Sequence, residues 1–108
     1  EDTAARLRAE LKLALFHFRD ARRRANLYAE SLLPRAEQSL QVTRQAFQAG
    51  DAGFMALIDA ERQWLEFQLE HARARSEGVR RMARIRTLTG RAPLDRPAPS
   101  RFERGSER

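Results

Sequence analysis

The sequence contains no cysteine, only one lysine (Lys12), and few residues that interrupt helices. Without cysteine, a disulfide framework and any thiolate-based zinc or redox site are excluded. Four prolines and five glycines in 108 residues leave long stretches that contain neither. No stretch approaches the ~18 consecutive apolar residues that a membrane-spanning helix needs. The sequence therefore predicts one small, largely helical domain.

The chain opens with Glu1 and Asp2 and follows an apolar pattern almost at once. A secretory signal peptide would begin with a basic segment and a continuous apolar run, and the sequence shows neither. We therefore expect the chain to be an excised segment of a larger protein.

Basic side chains outnumber acidic ones by 21 to 15, which gives a formal net charge of +6. Such a charge raises the hypothesis of nucleic-acid binding. Charges of both signs are interspersed, however, and only residues 50–62 are net negative. The arginine runs at 22–24 and 80–81 lie in stretches with apolar residues at helical spacing. We interpret these runs as solvated helix faces.

Apolar residues recur at alternating spacings of three and four along the first half of the chain. This heptad pattern is typical of a helix that packs along another helix, and its many alanines favour close approach of the helix axes. Pro34 lacks an amide hydrogen and clashes with the preceding turn, which predicts a kink or a short break. The predicted contact positions are Ala4, Leu7, Leu11, Ala14, Phe18, Ala21, Ala25, Tyr28, Leu32, Ala36, Leu40, Thr43 and Phe47.

The segment from Gly50 to Gly53 predicts a tight turn between two helices. Gly50 suits the left-handed conformation at a helix C-terminus, and Asp51 could cap the next helix with its carboxylate. Helices are predicted over about residues 3–49 and 52–89. Because the connection is so short, they must lie antiparallel.

The second helix carries two apolar stripes. At ~100° per residue the two stripes are neighbours, so the apolar surface is wider than one partner helix can cover. We expect stripe B to lack a cover within the hairpin and to be covered either by another copy of the chain or by the rest of the parent protein. Stripe A consists of Ile58, Leu65, Ala72, Val79 and Met82, and stripe B of Leu57, Ala60, Trp64, Phe67, His71 and Ala74.

The sequence thus predicts an all-α fold, a long antiparallel coiled-coil helical hairpin with a kink near Pro34. The hairpin occupies residues 1–90, with its tip at residues 50–53. Residues 91–108 are rich in proline and arginine, and we expect this tail to be disordered.

No pattern of catalytic or ligand-binding residues emerges. His17 and His71 have no partner at a metal-binding spacing, and Glu66 and Glu70 are exposed neighbours on a helix, unsuited to acid–base work. The glycines at the turn lack the lysine and the preceding strand of a phosphate-binding loop. We expect no enzyme, no cofactor and no metal site.

Several motifs occur together in a fixed order between Leu33 and Gly90. They are Leu33-Pro34, Phe47-Gln48-Ala49-Gly50, the run from Phe54 through Leu57-Ile58-Asp59-Ala60 to Arg62, and Leu88-Thr89-Gly90. In this order and spacing the sequence resembles the TolC-like outer-membrane efflux duct family. Two segments, Asp59-Ala60-Glu61-Arg62 and Leu33-Pro34-Arg35-Ala36, are most similar to sequences of the heavy-metal-efflux branch of this family. The family aromatic, commonly tyrosine, is Phe47 here, so a hydroxyl hydrogen bond is excluded at that position.

The resemblance implies one periplasmic hairpin of a trimeric duct in a Gram-negative outer membrane. It implies that the hairpin forms part of the tunnel wall, with stripe B packed against a neighbouring hairpin. It also implies that the tip docks a periplasmic adaptor protein, with an inner-membrane efflux pump engaged only indirectly. Transport through such a duct is passive, so the hairpin needs no ligands for the exported species, such as heavy metals. The tip and docking residues are then Phe47, Gly50, Asp51, Ala52, Gly53, Phe54, Met55, Leu57 and Asp59.

An alternative function is a basic coiled-coil module that binds nucleic acid or an anionic membrane surface. It would require one continuous basic face. Any nucleic-acid binding is expected to be weak, non-specific and steeply salt-dependent. The arginines available for such a face are those at 19, 22, 23, 24, 80, 81, 84 and 86.

Overall fold

The computed structural model describes residues 2–90 of the chain. It consists of α1 (Asp2–Leu27), a π-helical turn (Tyr28–Leu32), α2 (Leu33–Gln48) and α3 (Phe54–Gly90), and this part of the chain contains no strand. The first three segments follow one another without interruption and form the first arm of a hairpin, while α3 forms the second arm. The predicted disordered tail, residues 91–108, lies outside the described residues.

The two arms lie antiparallel, as predicted. α3 packs against α1, the π-helical turn and α2. Three ion pairs join the arms: Arg44 to Glu61 near the turn, Arg24 to Glu77 in the middle, and Arg84 to Glu10 towards the open end. Residue numbers fall on one arm as they rise on the other. The all-α hairpin predicted from the heptads is therefore confirmed.

The interface between the arms is thin and rich in alanine. Four of the six buried apolar side chains are alanines, which allow the helices to approach closely. The four buried residues of the first arm occupy predicted contact positions, and Ala74 belongs to stripe B. Leu88 lies outside both predicted stripes. The buried side chains within residues 2–90 are Ala14, Ala21, Ala36, Leu40, Ala74 and Leu88.

The first arm passes through Pro34 without ending. The backbone N–H of Leu33 donates to the carbonyl of Tyr28, five residues back, and Pro34 is then placed in the first turn of α2. Within a continuous helix a proline removes one backbone hydrogen bond, and its ring clashes with the carbonyl four residues before it. The wider π-helical turn therefore falls where regular α-helical bonds cannot form. The break predicted near Pro34 thus takes the form of a widened helical turn.

The π-helical turn also corrects the heptad register. From Tyr28 the contact positions advance by four residues three times in succession, to Leu32, Ala36 and Leu40. A strict alternation of three and four would rotate Ala36 and Leu40 away from the partner helix. Because a π-helical turn holds one more residue than an α-helical turn, both side chains remain buried.

The two stripes of α3 have the opposite roles to those predicted. In stripe B, Ala74 is only 1% exposed, and the ring of Phe67 meets that of Tyr28 edge-on at 5.6 Å between centroids. In stripe A, Leu65 is 58% and Val79 71% exposed. The prediction that stripe B lacks a cover within the hairpin is wrong.

The physical reason lies in the spacing of the two stripes. Stripe B alternates steps of three and four residues, which matches the heptads of the first arm and allows continuous packing. Stripe A recurs mainly every seventh residue, and therefore presents one side chain for every two turns. Stripe B has the more closely spaced apolar side chains, and it therefore packs against the first arm of the same chain.

Candidate interaction surfaces

The turn at the tip is a Schellman motif built on Gly50. Gly50 has a φ of 84°, and its N–H donates to the carbonyl of Phe47 at 3.1 Å. The N–H of Asp51 donates to the carbonyl of Ala46 at 2.7 Å. These two bonds satisfy carbonyls that the end of α2 would otherwise leave without partners. The predicted left-handed glycine is therefore confirmed.

The predicted cap by Asp51 is wrong. α3 begins at Phe54, and the N–H of Leu57 donates to the carbonyl of Gly53 at 3.3 Å, which places Gly53 at the N-cap. The carboxylate of Asp51 makes no hydrogen bond to any residue in the range 2–90. The Schellman motif holds the Asp51 backbone at the end of α2, two residues too early to cap α3.

Three apolar side chains are exposed beside this turn, and we call them the tip cluster: Phe47, Phe54 and Met55. Phe47 closes α2 and Phe54 opens α3, and their ring centroids are 6.2 Å apart. Phe54 is 61% and Met55 66% exposed. The hairpin thus ends in a compact apolar surface that the chain itself leaves open to solvent.

The structure brings the predicted tip residues together around the turn, and two of the nine are less exposed to solvent than the others. Leu57 and Ala52 are half-buried, so they support the turn from inside. The exposed members are Phe47, Gly50, Asp51, Gly53, Phe54, Met55 and Asp59.

A charged cluster spans the arms at mid-height. Arg24 donates to Asp20 at 3.0 Å and across the interface to Glu77 at 2.9 Å, while Arg23 and Arg81 flank the two carboxylates. The hydrogen bonds from Arg24 hold the pKa values of Asp20 and Glu77 below their ordinary ranges. The bonds to Glu77 and then Asp20 raise the pKa of Arg24.

The sequence alone does not predict this cluster. Asp20 and Arg24 are spaced as an i,i+4 pair on a helix, and this was the only signal available. The pairing with Glu77 joins residues 53 positions apart, so it depends on the register between the arms.

The two histidines serve packing. His17 is half-buried with its ring 5.6 Å from that of Phe16, and His71 is half-buried in stripe B. Within residues 2–90, no three side chains of the metal-binding types come together. In the same range, no helix is both long and apolar enough to cross a membrane.

Four of the eight arginines that a continuous basic face would need form ion pairs within the hairpin. Arg23 and Arg24 pair with Asp20, Arg81 pairs with Glu77, and Arg84 pairs with Glu10. The other four, at positions 19, 22, 80 and 86, are exposed.

Comparison of the chain with known protein families, with curated proteins and with solved structures finds no match.

Proposed function

We propose that the chain is a periplasmic helical hairpin of an outer-membrane efflux duct, with its tip serving as the docking site for a periplasmic adaptor protein. In this proposal the hairpin is a non-catalytic wall element of a trimeric export channel in a Gram-negative bacterium. An inner-membrane pump would engage it only through the adaptor. The tip cluster is the observation that carries the proposal.

The tip cluster fits docking better than folding. Phe54 and Met55 are the first two residues of α3 and remain largely exposed, so they contribute little to the stability of the hairpin. The Schellman motif and Gly53 already define the turn without them. An exposed aromatic pair beside a rigid turn is the kind of surface that a partner covers.

The outer face of α3 supports a lateral contact of the kind a tunnel wall requires. Leu65, Leu69 and Val79 are each at least half exposed, and Ile58 and Ala72 continue the same side of the helix. The chain offers no segment within residues 2–90 to cover them. We propose stripe A, in place of stripe B, as the surface between neighbouring hairpins.

The alternative, a basic coiled-coil module for nucleic acid or an anionic membrane, is less well supported. Four of its eight arginines pair with three carboxylates, those of Asp20, Glu77 and Glu10, so the hairpin itself balances part of the charge. Binding by the remaining arginines would fall steeply with salt. Sequence-selective binding that persists at ~0.2 M salt would favour this alternative.

Phe54→Asp tests the docking proposal. An aspartate at the first position of α3 suits the positive end of the helix dipole, so we expect helicity to be unchanged. A photoreactive amino acid at Met55, in the natural protein expressed in its cell, should cross-link to a periplasmic adaptor, and Phe54→Asp should strongly reduce the yield.

The matched control is Val42→Asp, which places the same charge on an exposed apolar position of α2, away from the tip. It should leave the cross-link intact. If Phe54→Asp gives the wild-type yield, or if the cross-linked product contains no periplasmic adaptor, the docking proposal is wrong.

A further inference from the structure

A groove runs between α1 and α3 at mid-height, well away from the tip. It has a volume of about 440 Å³. Its apolar lining consists of Phe18 and Ala25 on α1 and of Ala74, Gly78, Val79 and Met82 on α3. Ala74 and Gly78 are small, so the floor lies close to the helix backbone.

Three arginines line the same groove: Arg22 from α1, and Arg75 and Arg86 from α3. No acidic side chain lines it. All three guanidinium groups belong to exposed residues, and none of them forms an ion pair or a hydrogen bond with another residue in the range 2–90. We call this surface the arginine groove.

The three arginines are distributed along the length of the groove and on both of its sides. Arg75 and Arg86 are eleven residues apart on α3, which corresponds to about 16 Å along the axis, or three helical turns. Because Arg24 pairs with Glu77, Arg22 lies at the height of about residue 79, between the other two and on the opposite arm. Positive charge therefore borders the apolar floor on both arms.

Gly78 gives an independent reason to expect an occupant. A glycine in the interior of a helix lowers its stability by about 1 kcal/mol relative to alanine. A Cβ atom at Gly78 would have nothing within 4 Å. Packing within the hairpin therefore does not require a residue without a side chain at this position. The absence of a side chain instead keeps the floor of the groove open for close approach from outside.

We infer that the arginine groove binds the apolar face of an acidic amphipathic helix. Such a helix would lay its apolar side chains against Ala74 and Gly78, with glutamates or aspartates on its flanks paired to the three arginines. A second copy of this chain has a net charge of +6, which opposes its approach to the three arginines, so we place self-association elsewhere on the outer face of α3, around Leu65.

The inference does not depend on docking at the tip, since the groove lies about 36 Å from Phe54 along α3. Val79 and Met82 belong both to stripe A and to the lining of the groove, so at this height the inference assigns the outer face to the acidic helix and not to a neighbouring hairpin.

The test uses the full chain and a synthetic peptide of about three heptads, with leucine or alanine at positions a and d and glutamate at e and g. The peptide carries a fluorescent label, and binding is followed by anisotropy. We expect saturable one-to-one binding that weakens with salt. A peptide with lysine in place of every glutamate should not bind.

Two variants of the chain remove the two features of the groove separately. Arg22→Gln combined with Arg75→Gln removes charge and keeps helix propensity, and should weaken binding about tenfold. Gly78→Leu fills the floor and should abolish binding, while circular dichroism shows an intact hairpin. The control is Arg80→Gln, an exposed arginine outside the groove, which should bind the peptide as the wild type does.

Four results would overturn the inference. The glutamate peptide fails to bind, or it binds equally well to the double arginine variant. The lysine peptide binds with comparable affinity. Light scattering shows that the chain alone forms a dimer that Gly78→Leu dissociates, in which case a second copy occupies the groove. Loss of the adaptor cross-link at the tip would leave all of these measurements unaffected.

Discussion

Arg24 joins the arms through a single guanidinium group that serves two carboxylates. Its bonds to Asp20 and Glu77 give the charged cluster both a local and a long-range component. Because both carboxylates keep their charge to lower pH in the folded chain than in the unfolded chain, they contribute stability that is present at neutral pH. That contribution is lost as the pH falls through their lowered pKa values.

We therefore expect the thermal midpoint of the wild-type chain to decrease as the pH falls below about 4.3, where glutamate ordinarily titrates. Glu77→Gln should lower the midpoint at pH 7 and reduce its dependence on acid pH. Circular dichroism melts between neutral pH and pH 3 measure both effects. Glu66→Gln, at an exposed carboxylate outside every ion pair described, is the control and should melt as the wild type does. An identical acid profile in Glu77→Gln and wild type would contradict the role assigned to the pair.

Two glycines should respond oppositely to the same substitution. Gly50→Ala places a side chain in the left-handed region and should cost about 1–2 kcal/mol. Gly78→Ala adds a Cβ that meets nothing within 4 Å, and should stabilise the hairpin by up to about 1 kcal/mol. Urea denaturation of both variants measures the two free energies of unfolding. A loss of stability in Gly78→Ala would show that the glycine is required by the hairpin itself.

At the scale of elements, the π-helical turn is the feature that reconciles Pro34 with a continuous first arm. It adds one residue between Tyr28 and Ala36, and this residue keeps the contact positions on either side facing α3. The exposed residues of the turn, Ala29 and Glu30, contribute no buried surface. The turn therefore sets register and does not supply packing.

Deleting Ala29 together with Pro34→Ala should convert the π-helical turn into α-helix and restore strict heptad spacing. We expect this variant to fold with an unchanged or higher thermal midpoint, because every buried side chain keeps its face. Deleting the exposed Arg22 within α1 is the control. It rotates all residues before it by ~100° relative to the partner helix and should cost several kcal/mol through lost burial. Equal destabilisation by the two deletions would rule out this account of the register.

At the scale of the whole molecule, the hairpin has too little interior to cover its own apolar surface. Its core is one layer of small side chains between two long helices, and stripe A remains on the outside. An exposed apolar surface of this kind favours association with other proteins or with copies of the same chain.

We expect the isolated chain to self-associate at high micromolar concentration through stripe A and the adjoining exposed side chain of Leu69. Leu65→Gln combined with Leu69→Gln should shift the species seen by light scattering towards the monomer without loss of helicity. Val42→Gln removes an equally exposed apolar side chain from α2, outside the stripe, and should change little. A strict monomer in the wild type would exclude this prediction.

The sequence by itself determined the helices, the antiparallel arrangement and the turn, because each follows from local or periodic physics. Alternating steps of three and four residues specify one buried face. Gly50 is placed where the chain must adopt a positive φ, and a four-residue connection leaves the second helix no other direction. The exposed tip cluster follows in turn, since Phe47, Phe54 and Met55 adjoin the turn in sequence.

Only the tertiary structure decided which stripe of α3 faces inward, how the chain passes Pro34 and what the charged side chains contact. These features depend on the register between two arms that are remote in sequence, where a shift of one residue exchanges one helix face for another. Arg24 and Glu77 meet, and the arginine groove forms around Gly78, only because the π-helical turn and the heptads of stripe B together select one register. Periodicity describes each helix alone, whereas register is a property of the pair.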